Sequence, residues 1–206
     1  MTRRAIVYID GFNLYHAVDN LKRPHLKWLD VRALAEGLLR KDEQIKAVKY
    51  FSAFATWKPD SFARHRTYVE ALKSRGVDVI LGQFKEKPRK CHQCKSIWMS
   101  HEEKETDVQI ATHMVADALR GEVDRLILIS ADTDLAPPIK MIAQLAPNCE
   151  VFVATPPKRF KLCRALGPQL DIGISRLEAA QLPDRLQISA AEWIERPRSY
   201  HQPAEG

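Results

Sequence analysis

Continuous apolar runs alternate with helical stripes along most of the chain. AIVYI (5–9) is apolar at every position, as a strand covered on both faces is. GFNLYHAVDN then predicts a short helix, and VRALAEGLLR (31–40) a second, with Asp30 as its N-cap. IKAVKYFSAF (45–54) is β-rich. A helix is expected from about Ser61 to Ser74, stopped by Gly76, and then one strand, VDVILGQF (77–84). From Thr106 a helix resumes, with Val108, Ala111, Val115, Ala118 and Leu119 in one apolar stripe and Gly121 closing it. RLILIS (125–130) is another buried strand, and a helix follows the ADTDLAPP turn. EVFVAT (150–155) reads as a strand, KRFKLCRAL (158–166) as a helix and QLDIGI (169–174) as a last short strand. This alternation predicts an α/β sandwich around a mostly parallel central sheet flanked by helices.

Two stretches break the rhythm. EKPRKCHQCKSIWMSHEE, within residues 85–103, is polar, basic and cysteine-bearing, and reads as an insertion into the main fold. From Pro183 onward no long periodic pattern continues. The expected organisation is therefore one domain over 1–180 and a peripheral tail over 181–206, disordered toward its end.

Composition narrows the setting. The chain has 206 residues, 45% of them hydrophobic, enough for a core of ordinary size. No run approaches the roughly 18 apolar residues of a membrane span. The apolar stretch near the start ends at Asp10, so no secretory signal is expected. Lysine and arginine exceed the acids by 32 to 26, a mild excess compatible with a polyanionic partner. The four cysteines, Cys91, Cys94, Cys149 and Cys163, then read as free or metal-bound thiols in a reducing cytoplasm.

The chemistry gathers where strands end. In a parallel sheet, ligands bind outside the carboxyl ends of the strands. Asp10 closes the first strand, and Asp132 and Asp134 follow RLILIS directly. Asp107 opens the helix before RLILIS, where a helix N-terminus favours negative charge. Any one of these acids can be a turn former or a helix cap. Capping does not require all four to fall at one sheet edge. Gathered carboxylates repel, and a hard divalent cation, Mg²⁺ or Mn²⁺, relieves that cost. Asn13 and Ser130 offer neutral contacts to the same edge.

Asp10-Gly11-Phe12-Asn13, Lys104-Glu105-Thr106-Asp107 and Ser130-Ala131-Asp132-Thr133-Asp134, in that order, resemble the NYN domain, a branch of the PIN-like ribonuclease superfamily. The resemblance covers roughly residues 4 to 175. It implies a Rossmann-like PIN-type sandwich and a metal-dependent RNA phosphodiesterase. By position, it implies Asp10, Asp107, Asp132 and Asp134 as ligands of Mg²⁺ or Mn²⁺, with Asn13 and Ser130 supporting the site. It also implies Lys104 near a phosphate or tuning the acid cluster. Single-stranded RNA or an exposed loop is the expected substrate, because unstacked strands enter an open site more easily than a duplex. The alternative is an RNA-binding or regulatory module of the same fold with little or no activity. A haloacid-type phosphatase wants a second acid where Phe12 stands, and a receiver wants an acid in YFSAFATW, which has none.

Three weaker signals remain. Lys158 and Arg159 are candidate phosphate contacts, because their segment begins at the same sheet edge. Cys91, Cys94 and His101 supply three ligands for a structural Zn²⁺, without an obvious fourth; a basic loop with free thiols reads equally well. Phe12 and Trp98 are aromatics that stack on bases or simply pack. The pattern leaves a homo-oligomer open.

Overall fold

The structure is a computed structural model and describes residues 2–201. The elements run β1 (Arg3–Asp10), α1 (Gly11–Asp19), α2 (Val31–Glu36), β2 (Glu43–Ser52), α3 (Pro59–Ser74) and β3 (Asp78–Leu81). Then come β4 (Gln83–Lys90), β5 (Ile97–Lys104), α4 (Thr106–Leu119), β6 (Arg125–Ile129), α5 (Ala136–Leu145) and β7 (Glu150–Thr155). The chain finishes with β8 (Leu170–Asp171), α6 (Ile174–Ala179), β9 (Arg185–Gln187) and β10 (Trp193–Glu195).

Six strands form one parallel sheet in the order β3-β2-β1-β6-β7-β8. The apolar runs are continuous because both faces of this sheet are covered. Ala5, Val7 and Ile9 point into one core with α1, α2 and α3. Ile6 and Tyr8 point into the other with α4 and α5. β6 divides the same way, Ile127 and Ile129 against Leu126 and Leu128. This is the expected α/β sandwich with a PIN-like parallel sheet. Among the described residues no helix is long and apolar enough to cross a membrane.

β1 pairs with β2 on one side and with β6 on the other, so the winding direction reverses there. Such a switch point opens a crevice at the carboxyl ends of the strands. Gly11 makes the turn out of β1 there. A Cβ at Gly11 would fall 2.5 Å from the Phe51 carbonyl oxygen and 2.6 Å from the Tyr50 ring. Gly11→Ala is expected to cost about 1–3 kcal/mol through overpacking, read as a lower thermal unfolding midpoint.

Several elements differ from expectation. The second helix stops at Glu36 instead of Arg40, because Gly37 ends it. VDVILGQF is not one strand: it breaks at Gly82, whose absent side chain lets the backbone approach the Lys104 carbonyl, 2.7 Å from where a Cβ would sit. The insertion is an antiparallel ribbon of β4 and β5, not an irregular loop. At its root Phe84 meets Phe12 and Trp57 edge to face, at 5.6 and 4.7 Å. Residues 158–166 are not a helix. Lys158 takes a left-handed backbone (φ 62°), only a short turn forms at Arg164–Leu166, and Phe160 and Leu162 stay exposed.

The segment after Pro183 is not peripheral. β9 pairs with β10, Ile194 and Tyr200 are buried in the core, and the Trp28 indole donates to the Pro183 carbonyl at 2.8 Å. The expected disorder at the end falls on residues 202–206, outside the described residues.

Candidate active site

The switch-point crevice is built around Asp10, which is 4% exposed. Its Oδ1 accepts the Asn13 N–H at 3.0 Å and caps α1. Its Oδ2 accepts the Ser130 hydroxyl at 2.8 Å. Ser130 in turn accepts the Asp132 N–H at 3.0 Å, and the Asn13 side-chain oxygen accepts the Ala131 N–H at 3.1 Å. The ends of β1 and β6 are thereby tied into one polar knot. Asp132 caps the short turn that follows, accepting the Asp134 N–H at 2.9 Å.

Asp10, Asp107 and Asp132 line one open cavity of about 410 Å³ with Asn13, Glu103 and Arg159. Asp107 enters from the first turn of α4. Glu103 enters from the end of β5, where it accepts the Thr106 N–H at 3.1 Å and the Thr106 hydroxyl. Glu105, between them, has a left-handed backbone (φ 83°), which turns the ribbon sharply into α4.

The acids feel one another. Burial pushes Asp10 up to about 6, and the charges of Asp107 and Asp132 add to it against its two hydrogen bonds. Asp107 is pushed up to about 6 by burial, then by Asp132, Glu103 and Asp134. None of these five carboxylates has a lysine or arginine nitrogen within 4.0 Å among the described residues. At the opposite edge of the sheet the acids that are not exposed are paired: Glu43 and Glu150 meet Arg3, Arg40 and Arg125.

The structure thus brings together Asp10, Asn13, Asp107, Ser130, Asp132 and Arg159. Asp134 is exposed beside the cavity without lining it, near enough to act on Asp107. Lys104 points elsewhere, 3.3 Å from Glu102. Lys158 is exposed and lies outside the cavity lining.

The zinc set does not assemble. Cys91 and Cys94 sit at the tip of the ribbon, whereas His101 pairs across from Glu86, four rungs below Lys90–Ile97. At about 3.3 Å per residue, that is on the order of 13 Å away. His101 instead stacks on Trp57 at 3.6 Å. Among the described residues no group of three or more His, Cys, Asp or Glu side chains is arranged to hold a metal ion.

Glu103 and Thr106 escaped the sequence reading. Glu103 carries a readable signal once the insertion is seen as a hairpin, since it is then the last acid of a strand that ends at the site. His16 also borders the cavity.

Residues 4–167 match the family described as NYN domain. The chain belongs to the NYN domain family. This NYN domain is 30% identical to the 6-hydroxy-3-succinoylpyridine 3-monooxygenase HspA of Pseudomonas putida (strain DSM 28022 / S16) over 68% of the chain. It spans about half of that relative's length, 55%. It shares its fold with a protein of unknown function from Vibrio parahaemolyticus RIMD 2210633. The TM-score there is 0.54 at 20% identity, covering 84% of this chain and 93% of the other.

The donor set of the NYN site suits a hard divalent cation. Every charged side chain of the acid cluster is a carboxylate with no lysine or arginine nitrogen within 4.0 Å among the described residues; the acids are not drawn together as a metal cage, but Mg²⁺ retains waters and would not need one. The same repulsion predicts a stability effect. Asp107 titrates near 6 in the folded chain against 3.8 for the free group. The folded state therefore holds this proton more tightly. The resulting stability is complete below about 3.8 and lost as pH rises through about 6. Asp107→Asn is expected to raise the unfolding midpoint of chelator-treated protein at pH 7.5 by a few degrees. That is about 1 kcal/mol after solvent screening is discounted. The two proteins should converge near pH 4.

Proposed function

We propose that this NYN domain hydrolyses phosphodiester bonds of single-stranded RNA with Mg²⁺ or Mn²⁺ at the β1–β6 crevice. The observation that carries the reading is the uncompensated cluster: Asp10, Asp107 and Asp132 share one cavity without a basic partner within 4.0 Å among the described residues, while Glu43 and Glu150 at the opposite edge are paired with arginines. A cation there would polarise a phosphoryl oxygen and make water acidic enough to attack at neutral pH. Asp10, Asp107 and Asp132 would hold it, with Asp134 and Glu103 adding negative charge alongside. Asn13 and Ser130 fix the Asp10 carboxylate through the strand ends, so the site is organised before substrate arrives. Arg159, the cation in the lining, would meet a phosphate of the strand and orient it for in-line attack. Buried free Cys149 and Cys163 suit the reducing cytoplasm, where RNA is at hand.

The test is end-labelled single-stranded RNA incubated with purified protein and Mn²⁺. Cleavage that stops on adding chelator and returns with Mn²⁺ supports the reading. Binding without cleavage selects a regulatory module.

The activity for which the Pseudomonas relative is named favours a second reading, in which a small heteroaromatic acid is the substrate. Turnover of 6-hydroxy-3-succinoylpyridine with RNA left intact would select it.

A further inference from the structure

A second cavity of about 520 Å³ opens beside the acidic one, and Phe12, His16 and Glu103 line both. Its size lies within the roughly 300–1,000 Å³ span of small-ligand sites. Its walls are aromatic. Tyr50 and Tyr68 meet edge to face at 6.1 Å, and Trp57 is held by the stacked His101 and the Phe84 edge. These rings are fixed by their neighbours, so a planar guest would find a preformed slot.

The polar groups inside are few and specific. Ser52 Oγ lies 3.3 Å from His65 Nε2, both in the cavity lining. Burial pushes His65 down to about 4, so at neutral pH the pair offers neutral donors and acceptors and no charge. Cations stand among the lining groups. Arg64 touches Ser61 at 3.1 Å, and neither Arg64 nor Lys58 has a carboxylate within 4.0 Å among the described residues. An aromatic slot with neutral hydrogen-bonding groups inside and spare positive charge matches a nucleobase with its phosphate.

The geometry points to this cavity as a base-binding subsite: one unstacked base of the RNA enters it while a phosphate of the same strand lies at the acid cluster. This rests on the proposed ribonuclease reading and adds a specificity element to it. Continuity through Phe12 and Glu103 favours a base on a strand over a free metabolite, because the two cavities together follow one chain. Stacking on fixed aromatic walls makes the base, and not the backbone alone, a determinant of where the strand is cut.

Two measurements test it. In the first, Trp57 emission is followed while metal-free protein is titrated with adenosine or uridine 5′-monophosphate, inorganic phosphate or nicotinate, with Trp57→Phe as the spectral control. A monophosphate is expected to quench and phosphate alone is not. Ser61→Phe, which narrows the cavity, should weaken the monophosphate about tenfold. Arg64→Ala should weaken the monophosphate while leaving the uncharged nucleoside unchanged. In the second, single abasic positions are scanned along a cleaved RNA. One position near the cut should lower the rate about tenfold. Cleavage with a flat scan and no quenching overturns the subsite while the ribonuclease reading stands. Pocket-dependent quenching without any RNA cleavage removes the ribonuclease reading and leaves a nucleotide site. Quenching by nicotinate and not by the monophosphates overturns the base assignment in favour of a small heteroaromatic acid.

Discussion

Asp10→Asn is expected to reduce Mn²⁺-dependent RNA cleavage on the order of a thousandfold while leaving the fold intact. The side chain is nearly isosteric, and its oxygen can still accept the Asn13 N–H that caps α1. What disappears is the charge at the centre of the crevice, and with it the best-ordered carboxylate for a cation. Ser130→Ala should cost less, about 10- to 100-fold, because it removes the hydroxyl that orients Asp10 and not the charge itself. The two changes should also differ in metal dependence. Raising Mn²⁺ should recover part of the Ser130→Ala loss and little of the Asp10→Asn loss. Initial rates across a Mn²⁺ series, alongside thermal unfolding of each variant, make the comparison. If Asp10→Asn cuts as fast as the unaltered chain, the crevice is not where cleavage occurs.

The central sheet was legible because burial on both faces leaves a plain mark: strands such as AIVYI and RLILI have no polar alternation to confuse with anything else. The acid positions were legible for a related reason. A carboxylate that ends such a run has only the sheet edge to occupy, so Asp10 and Asp132 could be placed together without coordinates. The ribbon of β4 and β5 was hidden because most of its residues face solvent on both sides, and KEKPRK carries no period for a pattern to show. Missing the ribbon also meant missing Glu103, and gave Cys91, Cys94 and His101 a false proximity. Sequence spacing in a loop can close up, whereas spacing along paired strands cannot. The helix expected at 158–166 failed for lack of a burial face: Cys163 and Leu166 go inward, but Phe160 and Leu162 do not.

Arg125→Ala is expected to destabilise the chain by about 3–5 kcal/mol, without any direct effect on the crevice. Arg125 begins β6 at the amino edge of the sheet, and its side chain is 2% exposed. It donates to Glu43 Oε2 at 2.7 Å, lies 3.4 Å from Glu150 and covers the Phe152 ring at 4.2 Å. The Glu43 side chain is fully buried. Removing the guanidinium leaves that carboxylate with the Arg40 backbone N–H at 2.8 Å and the guanidinium groups of Arg3 and Arg40, each 3.8 Å away. The cost is mostly that of an uncompensated buried charge, so removing the charge as well should relieve it. Arg125→Met with Glu43→Gln keeps the volume of both side chains and an acceptor for the Arg40 N–H, and should recover much of the loss. Here the two edges of one sheet can be compared directly. At the amino edge the buried Glu43 meets arginines, and leaving that acid alone should destabilise the protein. At the carboxyl edge acids are left alone by construction, and neutralising Asp107 should stabilise the metal-free chain. Urea unfolding of Arg125→Ala, the double variant and Asp107→Asn tests both signs together. If all three shift stability in the same direction, burial alone governs these carboxylates, and their lack of partners at the crevice carries no functional meaning.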